Sequence, residues 1–144
     1  MDSMKKGGIA LDDFKIPVKI KISALWASVM FCYLYGDYFG LYVPGTLRGM
    51  LEGQMGPLGQ TTQGILLGTS AMMAIPSVMV FLSLALKPVL NRWLNIVLGI
   101  LYTLIILVTM WDWVFYIFLG IVEVALTSLI VWYAWNWPRQ EVRS

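Results

Sequence analysis

The sequence predicts an all-α membrane fold: an antiparallel bundle of four transmembrane helices with a short amphipathic helix in its outer loop. Three observations carry this expectation. Hydrophobic residues make up 59% of the 144 residues, and mean hydropathy is positive. A soluble domain of this length cannot hide that much apolar surface, so lipid is the natural solvent for the excess. Four stretches, at 20–43, 64–86, 92–110 and 113–135, approach the roughly 20 apolar residues a helix needs to cross the hydrocarbon core. Nine of the ten Lys and Arg residues fall on one side of those stretches.

Residues 1–19 form an N-terminal segment expected on the cytoplasmic side. Its start is polar and glycine-containing. Phe14, Ile16, Val18 and Ile20 then alternate with Lys15, Pro17, Lys19 and Lys21, which suits either an extended segment or a helix start. The lysines would meet anionic headgroups there, at about 1 kcal/mol per charge. The first span, 20–43, follows Pro17, and proline is tolerated in the first turn of a helix. Lysines followed by an apolar run resemble a signal peptide, but no small-residue cleavage site follows, so an uncleaved signal-anchor is expected.

The loop at 44–63 is the one sizeable connection. Its glycines make it turn-rich, while Leu47, Met50 and Leu51 are apolar at helical spacing beside Arg48 and Glu52. A short surface helix and then a turn at Gly56-Pro57 are expected. The loop is either a plain connector or a lid. Pro76 lies midway along the second span, 64–86, and removes a helical hydrogen bond, leaving the carbonyl of Met72 for Ser77 or a water to answer. Residues 87–91 join it to the third span, 92–110. Trp111-Asp112-Trp113 then closes a tight hairpin into the fourth, 113–135, with Asp112 placed to cap it. Such short connections make neighbouring helices antiparallel. The single transmembrane domain thus covers 20–138, with a cytoplasmic tail at 139–144.

Lys5, Lys6, Lys15, Lys19, Lys21, Lys87, Arg92, Arg139 and Arg143 share one side, against Arg48 alone on the other. The positive-inside rule puts both termini in the cytoplasm and the protein in the cell's inner membrane, crossing it several times. Aromatic residues cluster at the span ends: Tyr35, Tyr38, Phe39, Tyr42, Trp111 and Trp113 at one interface, and Trp93, Trp132, Tyr133, Trp135 and Trp137 at the other. Amphipathic rings prefer headgroup depth, so these are anchors.

Several functions are disfavoured by composition. There is no histidine, the commonest general base and metal ligand. The lone Cys32 offers no disulfide and reads as a small apolar residue. A net charge of +2 without a basic patch gives no reason to expect nucleic acid. No catalytic, metal-binding or cofactor-binding constellation stands out.

Glu123 breaks the pattern of excluded charge. It lies near the middle of the fourth span, where an ionised acid costs roughly 2.5–3.5 kcal/mol by analogy with a central Asp. It should face the bundle interior. Tyr116, Gly120, Glu123 and Thr127 form one polar and small stripe; Asn95, Gly99, Tyr102, Ile106 and Thr109 repeat that spacing on the third span. A midplane cluster of Glu123 with Tyr102, Thr103, Thr127, Tyr116, Tyr33 and Ser77 is the candidate ligand site, and Asp37 with Arg48 the candidate outer entrance. Glu123 is either a site charge or a protonated acid bonded to Tyr or Thr as interhelical glue. Gly36-xxx-Gly40 and Gly64-xxx-Gly68 both permit close helix approach.

The strings LWASVMFCYLYGDYFGLYVPG, GPLGQTTQGILLGTSAMMAIPS, LKPVLNRWLNIVLGILYTL and VWYAWNWP resemble a family of small bacterial four-helix membrane proteins of unknown function. The resemblance covers about residues 15–138 and implies the same architecture, but no activity or catalytic residue. The sequence does not match the small multidrug exporters, whose glutamate lies in the first helix, nor does it carry the paired cysteines of membrane disulfide oxidoreductases or the motifs of fluoride channels. Three functions compete. The first is binding or transport of a cation, proton or small amphiphile at Glu123. The second is a non-catalytic structural or accessory subunit of a larger membrane complex; independently of function, a homo-oligomer or a membrane-protein partner is expected. The third, an enzyme acting on lipid or quinone, has least support, for want of a nucleophile–base pair.

Overall fold

The computed structural model describes residues 14–138, so Lys5, Lys6 and the tail arginines lie outside the described residues. Four long helices follow the four apolar stretches: α1 (Val18–Gly40), α3 (Gln63–Ala85), α4 (Pro88–Thr109) and α5 (Val114–Trp135). Each is long and apolar enough to cross a membrane. A six-residue helix, α2 (Thr46–Leu51), lies between α1 and α3. Large apolar side chains such as Phe31, Leu67, Phe81, Val97 and Phe118 point outward, as a bundle dissolved in lipid requires. The chain is a small four-helix membrane protein.

Some boundaries differ from the sequence expectation. Residues 14–17 are not helical, and α1 begins directly after Pro17, at Val18. The third span starts at Pro88 rather than residue 92. Proline at the first helical position lacks only an N–H that would be free anyway, so it opens the helix and draws Asn91 into it. Asp112 does not cap α5. Trp113 holds the N-cap position and no side chain bonds the free N–H groups there. Thr62 does cap α3, accepting from the Ile65 N–H at 3.2 Å.

The connection between α1 and α3 folds back on itself. Gly45, at φ +90°, turns the chain into α2, and Gly59, at φ +80°, reverses it after a single 3₁₀ turn at Gly56–Leu58. Gln54 and Gln60 bridge across this reversal, supported by Met55 N–H donating to Gly59 O and Thr61 N–H to Gly53 O, both at 2.7 Å.

The order around the bundle is α3, α1, α5, α4. α1 packs along both α3 and α5, and α5 along α4, whereas α3 and α4 barely touch although a two-residue turn joins them. At the end of the bundle where α1 begins (the lysine end), Lys19 Nζ donates to the last carbonyls of α3, Leu84 O at 3.1 Å and Leu86 O at 2.7 Å. Lys21 lies over the Tyr133 ring, and Arg92 beside Trp135.

Ile106 and Met110 are buried separately toward the other end, and the main core cluster occupies this half. Ile22, Trp26, Val29, Met79, Ile96, Ile130 and Ala134 interlock there, with Tyr102 at its top. A polar network runs through the same layer. Trp26 Nε1 donates to Asn95 Oδ1 at 2.6 Å. Asn95 Nδ2 donates to Asn91 O and Oδ1 at 2.8 and 2.6 Å, and Asn91 Nδ2 to Ser83 O at 2.6 Å. Ser23 Oγ adds a bond to Val80 O at 2.7 Å. Three helices are thereby tied together and the lysine end is closed.

Candidate functional site

Toward the opposite end, where the 44–62 connection lies (the loop end), α3 and α4 diverge and leave a cavity of about 360 Å³. Its floor is Tyr102. Pro76 cannot donate to Met72 O, and the Tyr102 hydroxyl answers that carbonyl at 2.5 Å. The sequence reading assigned this role to Ser77 or a water. Ser77 instead bonds its own helix, at Met73 O (2.8 Å), and lies exposed outside the cavity. The Tyr102 ring is fixed from below by an edge-on contact with Trp26, 5.9 Å between centroids.

Among the described residues three carboxylates line the cavity and no Lys or Arg does. Asp112, in the α4–α5 turn, and Asp37, near the end of α1, are exposed toward the loop end, where Pro57 also reaches the mouth. Glu123 is deeper, in the middle of α5, and only 8% exposed. Among the described residues nothing donates a hydrogen bond to its carboxyl. The nearby Tyr33 hydroxyl is also buried without a partner. The remaining wall is apolar and soft: Met72 and Met73 from α3, Ile105, Ile106 and Met110 from α4, and Leu119 from α5.

Two glycines let α5 approach its neighbours here. A Cβ on Gly120 would lie 2.7 Å from Met110 Cβ, and one on Gly40 would run into the Tyr116 hydroxyl. The Gly36-xxx-Gly40 pair is therefore a true close contact, seating Tyr116 against α1. Gly64 and Gly68 are exposed and make no such contact within the chain.

The expected midplane cluster divides into two groups. Glu123, Tyr102, Tyr33 and Tyr116 meet around the cavity, where Asp37 of the expected outer entrance also lies. Thr103 and Thr127 do not line it. Thr103 Oγ1 donates to Thr127 Oγ1 at 2.7 Å, and Thr127 Oγ1 to Glu123 O at 2.9 Å, which joins α4 to α5 behind the site. Arg48 is exposed on α2 and lines no part of the cavity. Asp112 and the methionines belong to the site but were not singled out in the sequence. The acid read as a cap, and methionine at helical spacing reads as ordinary core.

Among the described residues no group of three or more His, Cys, Asp or Glu is placed to hold a metal ion. The carboxylates are spaced from mouth to floor rather than gathered into a cage. No curated protein and no solved structure matches the chain. A family of unknown function, DUF6326, matches residues 13–144, and the chain belongs to that family.

Proposed function

We propose that this protein binds, and carries between the two sides of the membrane, a small positively charged species or a proton at Glu123, with the lysine end in the cytoplasm. The observation that carries this reading is Glu123, nine-tenths buried at mid-helix, its carboxyl lining a cavity and taking no hydrogen bond from any described residue. Ionisation at this depth is costly unless a positive charge lies beside it. Bound proton and bound cation are thus alternatives at one carboxyl, the basic requirement for exchanging them. The interhelical-glue reading needs a Tyr or Thr hydroxyl on the carboxyl; Tyr102 is engaged with Met72 O, the two threonines with each other, and the nearby Tyr33 hydroxyl does not bond it. The cavity is open toward the loop end and closed at the lysine end by the Trp26–Asn95–Asn91–Ser83 network, which is how one state of an alternating carrier would look.

Lipophilic carbodiimide tests this reading without knowledge of the ligand. The carboxylic acid adds across a C=N bond of the reagent, its proton going to nitrogen and its oxygen to the central carbon, and the O-acylisourea so formed rearranges by O-to-N acyl migration to a stable N-acylurea. In lipid nanodiscs, dicyclohexylcarbodiimide is expected to modify Glu123, seen as one adduct on the peptide carrying it and absent in Glu123→Gln. An unmodified Glu123 in folded protein would show that the carboxyl is sealed in packing and remove the proposal.

A further inference from the structure

Resting on that reading, we infer that the ligand is an organic cation with a hydrophobic body, admitted from the bilayer through the gap between α3 and α4. Four features converge on this class. The cavity is about 360 Å³, within the range of roughly 300–1,000 Å³ typical of small-molecule sites and far larger than a bare ion needs. Its charged groups are all acidic. A divalent inorganic ion takes about six oxygen ligands, usually including several carboxylates, and among the described residues no group of three or more His, Cys, Asp or Glu is placed to hold one. The walls are methionine, tyrosine and aliphatic side chains, which adapt to an apolar body and offer ring faces to a positive charge.

The second, independent observation is the pair of unanswered polar groups. Glu123 as a residue is 8% exposed and its carboxyl has no hydrogen-bond partner among the described residues, and the Tyr33 hydroxyl is buried and likewise unpartnered among them, at the deep end of the same space. A cationic centre beside Glu123 would neutralise the acid, and a polar substituent would satisfy Tyr33. The hydrophobic remainder would lie against Met72, Ile106 and Leu119. The route follows from the packing. The α3 and α4 backbones approach each other at few positions although side chains such as Tyr102 bridge them, and Met73, Ile105 and Thr109 of these two helices line the cavity there. In a membrane that flank faces hydrocarbon. Asp37 and Asp112 form a second acidic level at the aqueous mouth, where a cation leaving Glu123 would next be held.

The test uses two ions of matched size and opposite charge, tetraphenylphosphonium and tetraphenylborate, on full-length protein in nanodiscs. Tetraphenylphosphonium is expected to bind saturably and to protect Glu123 from carbodiimide. Tetraphenylborate should show only the partition seen with empty discs. Glu123→Gln should weaken phosphonium binding at least tenfold, and Glu123→Asp by less. The protection assay needs no variant, so it holds even if a substitution impairs folding. Equal binding of both ions, or undiminished binding by Glu123→Gln, overturns the inference. Carbodiimide modification of Glu123 that the phosphonium does not prevent defeats the ligand class alone, whereas absence of modification defeats the site itself.

Discussion

Replacing Asn95 by leucine, a side chain of similar volume, is expected to destabilise the protein by roughly 2–4 kcal/mol. Asn95 is fully buried and is the hub of the lysine-end network. It accepts from Trp26 Nε1 and Ser83 Oγ and donates twice to Asn91. An interhelical hydrogen bond in a membrane protein contributes only about 0.6–1.7 kcal/mol, because the unfolded helices also find partners in lipid. The variant loses several at once and leaves the Trp26 N–H buried without an acceptor, a penalty of about 1–3 kcal/mol. Denaturant titration followed by tryptophan fluorescence measures the change. Val97→Ala, on the 58%-exposed outer surface of the same helix, is the control and should shift stability by no more than about 0.5 kcal/mol. Equal shifts in the two variants would mean that the network does not hold α1, α3 and α4 together.

Gly99→Leu is expected to be more damaging still. A Cβ at Gly99 would lie 2.7 Å from Val131 Cγ2 and 3.4 Å from the Thr127 carbonyl oxygen. The first contact is a clash with a short, β-branched side chain, and the second leaves no room to move away from it. One or two extra methylenes in a packed interface cost about 1–3 kcal/mol, and a leucine adds more than that to the α4–α5 seam. Its insertion would also part the Thr103–Thr127 pair. The variant is expected to elute as aggregate and to unfold at lower denaturant than the wild type run beside it. Gly68→Leu, where an added Cβ meets nothing within 4 Å, should do neither. If Gly68→Leu unfolds the protein and Gly99→Leu does not, the assignment of the internal seam is wrong.

That contrast shows what the sequence can and cannot reveal. Length and hydropathy are local properties, so the four spans were legible to within a few residues. Glu123 was legible because it alone breaks a run of apolar residues in mid-span. Contacts between helices are not local. Gly36-xxx-Gly40 and Gly64-xxx-Gly68 look alike on paper, yet only the first packs against another helix. Asp112 precedes a helix as a capping residue would, but the backbone at Trp113 takes the N-cap position and leaves the acid on the cavity mouth. Ser77 lies next to the proline gap in sequence, whereas the answering hydroxyl comes from Tyr102 on another helix. The cavity itself depends on α3 and α4 failing to meet, and no residue pattern along either helix encodes that.

The central claim is a cavity open from the loop end down to Glu123 and closed beneath it. Cysteine reactivity along α5 measures this directly. Cys32 is the one cysteine in the sequence, so its replacement by serine leaves a background on which single cysteines report alone. With a charged, membrane-impermeant maleimide, cysteines at Tyr116, Leu119 and Glu123 are expected to react, and those at Thr127, Ile130 and Ala134 to remain unmodified. Protection that begins at Tyr116, or reactivity that continues past Thr127 to Ala134, would contradict the account.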